Sequence, residues 1–165
     1  MKFQTPMRGI VIACAMCTAA GCTQGNQASA APANAAGWVA NGARACDEYL
    51  TPEFVGAIFK NPAGHSKKLS AQTCSFETPD FASISITLAA AGPAAFAAHQ
   101  QYLSDPVPLS GVGDKAVRTD TGIEAIKGND RMCGIDVMPP FGNKLKGEAL
   151  ARNLGELCNK LFALP

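Results

Sequence analysis

The chain has 165 residues, 47% hydrophobic and 7% aromatic, with 14 Lys and Arg against 13 Asp and Glu. This composition excludes a disordered polyelectrolyte, a coiled coil and a strongly basic nucleic-acid binder. It leaves room for one globular domain of ordinary size.

The N-terminus opens with Lys2 and Arg8, and residues 9–20 (GIVIACAMCTAA) are uncharged and nearly all apolar. A positive end, a short greasy run and small residues after it are the marks of a secretory leader, too short to span a bilayer permanently. The run Ala19-Ala20-Gly21-Cys22 resembles a bacterial lipobox, with Ala where Leu is usual. That resemblance implies a diacylglyceryl group on the Cys22 sulfur and cleavage just before it. Residues 1–21 are thus read as a lipoprotein signal peptide, and Cys14-x-x-Cys17 is discarded with it.

Of the seven cysteines, four remain after the leader pair and Cys22: Cys46, Cys74, Cys133 and Cys158. An even number in an exported chain favours two disulfides. Their separations of 28, 59 and 25 positions offer no close pair for a zinc knuckle, so neither metal nor cofactor is expected. Losing Lys2 and Arg8 leaves 12 basic groups against 13 acidic ones. Steering toward nucleic acid is not indicated.

Residues 23–40 carry no charge and only Trp38 and Val39 as large apolar groups, so 22–40 is read as lipidated cysteine plus tether. The single domain is then 41–165, although Trp38 has the character of a domain residue. Thr51-Pro52-Glu53 is a helix start: a capping hydroxyl, a proline at the first position and an acid at the positive dipole end. Cys46 falls just before it. Lys60 to Gln72 reads as a polar loop. Two short strands follow, Thr73 to Thr78 and Ser83 to Leu88, placing Cys74 with Phe76 and Ile84 with Ile86 and Leu88.

Pro93 opens a helix running to about Leu103, with Phe96, His99 and Leu103 on one face; Pro106 and Pro108 forbid its continuation. A three-strand meander follows at 115–119, 123–127 and 131–138, turning at Asp120-Thr121-Gly122 and Gly128-Asn129-Asp130. The last helix, about 147–162, carries Leu150, Leu154, Leu157, Cys158 and Leu161 on one stripe. The order αββ-α-βββ-α predicts an α+β domain with a five-stranded antiparallel sheet and helices on one face. Cys133 shares a strand face with Ile135 and Val137, and Cys158 lies on the apolar stripe of the covering helix. The expected links are Cys46 to Cys74 and Cys133 to Cys158. Each closes a loop short enough to contribute about 3.5 kcal/mol by the chain-entropy model.

The string Cys46-Asp47-Glu48-Tyr49-Leu50-Thr51-Pro52-Glu53, with Cys74-Ser75-Phe76 and Gly111-Val112-Gly113-Asp114-Lys115-Ala116, resembles a group of small bacterial lipoproteins of unknown function. Val112 stands where Leu is usual and Phe76 where Trp is common. The resemblance spans about 44–162 and implies a fold and an exported location, with no activity to carry over.

No motif points to catalysis. Gly111-x-Gly113 lacks the third glycine of a phosphate loop and leads into a strand, so it reads as a turn. His99 has no recognisable nucleophile in sequence, His65 sits in an exposed loop, and Asp114, Asp120, Asp130 and Asp136 fall in turns or outward positions. The sequence therefore points to a non-enzymatic cell-envelope protein, facing the periplasm and held at a membrane by lipid. Thr23 after Cys22 favours an outer membrane over an inner one. Two roles fit: a binding module for an envelope partner, or an inhibitor or immunity protein against a secreted cell-wall hydrolase or toxin. Inhibition predicts a protruding loop at 60–72 or 141–146, and a ligand carrier predicts an apolar cavity between sheet and helices.

Overall fold

Alternation of apolar and polar residues along the strands dictates a sheet with one greasy face, and the chain builds everything else around covering it. In a computed structural model the described residues are 33–59, 63–140 and 147–165. Residues 1–32, read from sequence as leader, lipidated Cys22 and most of the tether, lie outside them, as does 141–146. In chain order the elements are α1 (Ala33–Val39), α2 (Asn41–Glu48), α3 (Pro52–Ile58), β1 (His65–Lys68), β2 (Thr73–Glu77), β3 (Ser83–Ala89), α4 (Pro93–Gln100), β4 (Val107–Pro108), β5 (Lys115–Arg118), β6 (Gly122–Lys127), β7 (Arg131–Met138) and α5 (Glu148–Phe162). Among them no helix is long and apolar enough to cross a membrane.

The fold is α+β with an antiparallel sheet, but of seven strands rather than five, in the order β1-β2-β3-β7-β6-β5-β4. The two extra strands are the edges. All four residues of β1 are exposed, as are both of β4, so neither shows the alternation by which a strand is recognised. β1 lies inside the expected 60–72 loop, drawn out by pairing with β2 in the register His65↔Glu77 to Lys68↔Cys74. Both edges are blunted, β1 by Lys67 and Lys68 and β4 by Pro108. The hairpin and the meander join through β3 and β7, with Ser85 opposite Asp136.

One face packs the main core: Phe76, Ile84, Ile86, Leu88, Ile123, Ala125, Ile135 and Val137 from the sheet against Leu154, Leu157, Leu161 and Phe162 of α5, Trp38, Ala45 and Val55 of α1 to α3, and Leu50 from the link between α2 and α3. The layer is filled, with Trp38, Ile84, Ile86, Ile135 and Leu161 essentially sealed from solvent. Both expected disulfides are present and both fasten a helix to this face. Cys46 on α2 is linked to Cys74 on β2, and Cys133 on β7 to Cys158 on α5, with Cα separations of 5.4 and 6.0 Å.

Three sequence expectations need correction. Cys46 sits within a helix rather than before the first one. The segment Asn41–Glu48 was overlooked because its buried face is made of small residues, Gly42, Ala45 and Cys46, which let the helix approach the chain at Gln72; a Cβ on Gly42 would lie 2.2 Å from the Gln72 carbonyl oxygen. Residues 33–39, read as tether, form α1: Trp38 donates its indole N–H to the Leu161 carbonyl (2.9 Å), stacks on Phe162, and lies under the Arg131 guanidinium. The domain therefore includes residues before 41. Finally, the helices do not share one face. α4 lies on the opposite side, where Phe96 packs on Val117 and Ile126, with Leu103 and Met132 beside it.

Candidate functional site

Residues opposite one another on paired strands point to the same side, so the registers define what the second face carries. One row reads Lys67, Ser75, Ser85, Asp136 and Gly122; the next reads Thr73, Thr87, Gly134, Glu124 and Val117. α4 covers only the β5–β6 end of these rows. From β1 to β7 no described helix covers the face, which is built of small hydroxyl side chains: Ser85 Oγ donates at 3.2 Å to Oγ of Ser75, which is itself buried, and the Thr73 and Thr87 hydroxyls are 3.5 Å apart.

Where the bare and covered parts meet, three titratable groups converge. His99 on α4 holds Glu124 with Nδ1 at 2.8 and 3.0 Å from its two carboxylate oxygens. Glu124 is only 15% exposed, whereas His99 is 49% exposed. Diagonally across the β6–β7 pair stands Asp136. Burial pushes its carboxyl above the ordinary value of 3.8, repulsion from Glu124 adds to that, and His99 partly offsets it. Glycines make the space: a Cβ on Gly122 would come 3.0 Å from Asp136 Oδ1 and 2.2 Å from the Ile135 carbonyl oxygen, so only glycine leaves the carboxylate its position. Gly134, in the middle of the face, leaves a shallow gap between Thr87 and Glu124.

The β3–β7 end of the face holds two hollows. One, of about 290 Å³, is lined by Ser83, Ser85, Thr121, Asp136, Met138 and Pro139. The other, of about 360 Å³, lies between Glu77, Phe81, Ser83 and Met138. Phe81 is 79% exposed and sits at φ 64°, a left-handed backbone that bulky residues rarely adopt. The turn fixes it there: Thr78 Oγ1 accepts from the Ala82 N–H at 3.0 Å and also bonds the Asp80 carboxylate, while the Phe81 N–H donates to the Thr78 carbonyl at 3.0 Å. Met138 and Tyr102 are the other strongly exposed large groups of this face's surround, at 63% and 83%.

The residues singled out from sequence are distributed as follows. Cys22 lies outside the described residues. The Gly111-x-Gly113 segment is a turn, both glycines having positive φ, and Asn159 of α5 clamps it by accepting from the Gly113 N–H (3.0 Å) and donating to the Gly111 carbonyl (2.8 Å). Asp114 ties this turn to the next by accepting from the Gly128 N–H at 2.7 Å. His65 is exposed on edge strand β1. His99 lies on the Phe96 side of α4, as expected, and from there reaches Glu124, and Asp136 is an exposed outward acid, as expected, but stands diagonally from Glu124 rather than alone. Glu124 was missed altogether. The Gly128-Asn129-Asp130 turn alone was enough to set Glu124 beside Asp136, but nothing in the sequence places α4 over them.

Among the described residues no group of three His, Cys, Asp or Glu side chains is placed to hold a metal ion. No protein-family model matches the chain, and neither does any curated protein or solved structure.

Proposed function

We propose that this chain is a lipid-anchored cell-envelope protein whose domain is a non-catalytic binding module, with the bare half of the second sheet face as its contact surface. The observation that carries the reading is the asymmetry of the sheet: one face sealed under four helices, the other left with a hydroxyl floor, a carboxylate in a hollow and exposed Phe81 and Met138 at its rim. Concave surfaces with a few convergent polar groups and an apolar rim are where ligands bind. The filled layer between sheet and helices speaks against an apolar carrier.

The anchor follows from the leader and Cys22. α1 begins eleven residues after Cys22, which limits the distance from the lipidated sulfur to the domain to about 40 Å. The bare face then works close to the membrane surface, in the periplasm and at the outer membrane where two are present. The inhibitor reading gains nothing from the described part of 60–72. It forms β1 and its turn, tied to α2 by the Lys68–Asp47 ion pair at 2.6 Å.

Photo-crosslinking residues introduced at Ser85 and Thr87, and separately at Arg152 and Glu156 on α5, test the proposal in the native envelope. Adducts at the sheet positions alone support it. Adducts only from α5, or from neither face, overturn it. The anchor is tested separately, since Cys22→Ala is expected to move the protein from the membrane to the soluble fraction.

A further inference from the structure

We infer that the hollow beside Asp136 receives a positively charged side chain, the ammonium or guanidinium of a protein partner; this rests on the reading of the bare face as the contact surface. The hollow is amphipathic in the way such a side chain requires. Met138 and Pro139 form an apolar wall suited to an aliphatic stem, and Ser83, Ser85 and Thr121 bring hydroxyls that accept from N–H donors around the Asp136 carboxylate. A volume of about 290 Å³ accommodates one lysine or arginine side chain, not a folded element.

Charge decides the class of occupant. Among the described residues the Asp136 carboxylate has no hydrogen-bond or ion-pair partner, while Glu124 beside it is already held by His99. The basic group whose charge acts on Asp136, His99, is already engaged by Glu124. Lys67 lies on the same register row but three strand spacings away, about 14 Å, beyond the reach of its stem. Lys115 stands on β5 at the far end of the sheet, and His65 lies at the opposite edge. An anion entering the hollow would meet two carboxylates, and a neutral polyol would leave Asp136 uncompensated. An entering cation cancels the repulsion between the Asp136 and Glu124 carboxylates. Arginine and lysine are also the side chains that protein surfaces offer with an apolar stem and a charged head.

The experiment titrates the full chain, in detergent, with Nα-acetyl-arginine amide and Nα-acetyl-lysine amide, using Nα-acetyl-norleucine amide as the uncharged control, and reads backbone amide shifts and the Asp136 carboxyl carbon. Saturable shifts at Ser83, Ser85, Thr121 and Met138, and a downward move of the Asp136 titration on saturation, are expected. Affinity should fall about tenfold or more in Asp136→Asn and for the norleucine probe. Equal response to norleucine amide, undiminished binding by Asp136→Asn, or no saturable shift overturns the inference. Thermal unfolding of Asp136→Asn checks that the variant is folded. In the envelope, crosslinks from Ser85 that persist at full yield in Asp136→Asn leave the contact surface intact and remove the cation from it. Crosslinks absent in the unaltered protein remove the surface itself.

Discussion

The two faces of this sheet are made by the same strands and differ in almost every physical respect. The covered face carries branched and aromatic side chains, is roofed by α1, α2, α3 and α5, and is fastened by both disulfides. The other face carries serine, threonine, glycine and two carboxylates, and its one helix is docked through a single buried residue, Phe96. Cohesion is concentrated on one side, and the other side contributes little to it.

The largest expected effect breaks the covered face. Trp38→Ala should cost about 3–5 kcal/mol, because it removes a sealed indole, its stack on Phe162 and its bond to Leu161 together. Urea denaturation measures this; a loss below about 1 kcal/mol would return α1 to the tether. Replacing Cys133 and Cys158 together by alanine should cost about 3.5 kcal/mol in the same assay, the chain-entropy value for a loop of this length.

The open face should respond locally. Phe96→Ala removes about 2 kcal/mol of burial, and the consequence should be confined to α4. Amide exchange is expected to quicken over 93–103 while β3 and β7 keep their protection; a global loss of protection would mean that α4 belongs to the core. Thr87→Val, on the bare floor, should stay within about 0.5 kcal/mol of the parent protein.

The smallest effect has a defined sign. Because the folded Asp136 carboxyl titrates above its ordinary value of 3.8, the native state holds more protons than the unfolded state between the two values. Stability therefore falls as pH rises through that window, and the penalty is fully present above it. Asp136→Asn should melt at a higher temperature than the parent at pH 7 and lose this advantage below the unfolded carboxylate range. A lower melting temperature at pH 7 would show that the ionised carboxylate is a stabilising group.

Much of the covered face could be read directly. Alternation in Ser83–Ala89 and Arg131–Met138, and the leucine stripe of α5, announce which side chains go inward, and the cysteines sit on those same stripes. The bare face could not be read that way, because serine, threonine and aspartate at outward positions look the same whether solvent or a partner covers them. α2 escaped notice for a related reason: Gly42 and Ala45 signal close approach only when the neighbouring chain is known.

Sequence alone determined the hairpin and meander, the apolar stripes and the two cysteine pairings, all of which depend on contacts local in the chain or on residue period. Tertiary structure decided the rest. The antiparallel join of β3 to β7 put Ser85 beside Asp136, and the crossing of α4 to the second face put His99 on Glu124. Edges β1 and β4 became strands because a partner strand offered them hydrogen bonds, and α1 became part of the domain because the end of α5 offered Trp38 a partner. These are long-range choices among surfaces of similar local character, and no period or propensity along the chain distinguishes them.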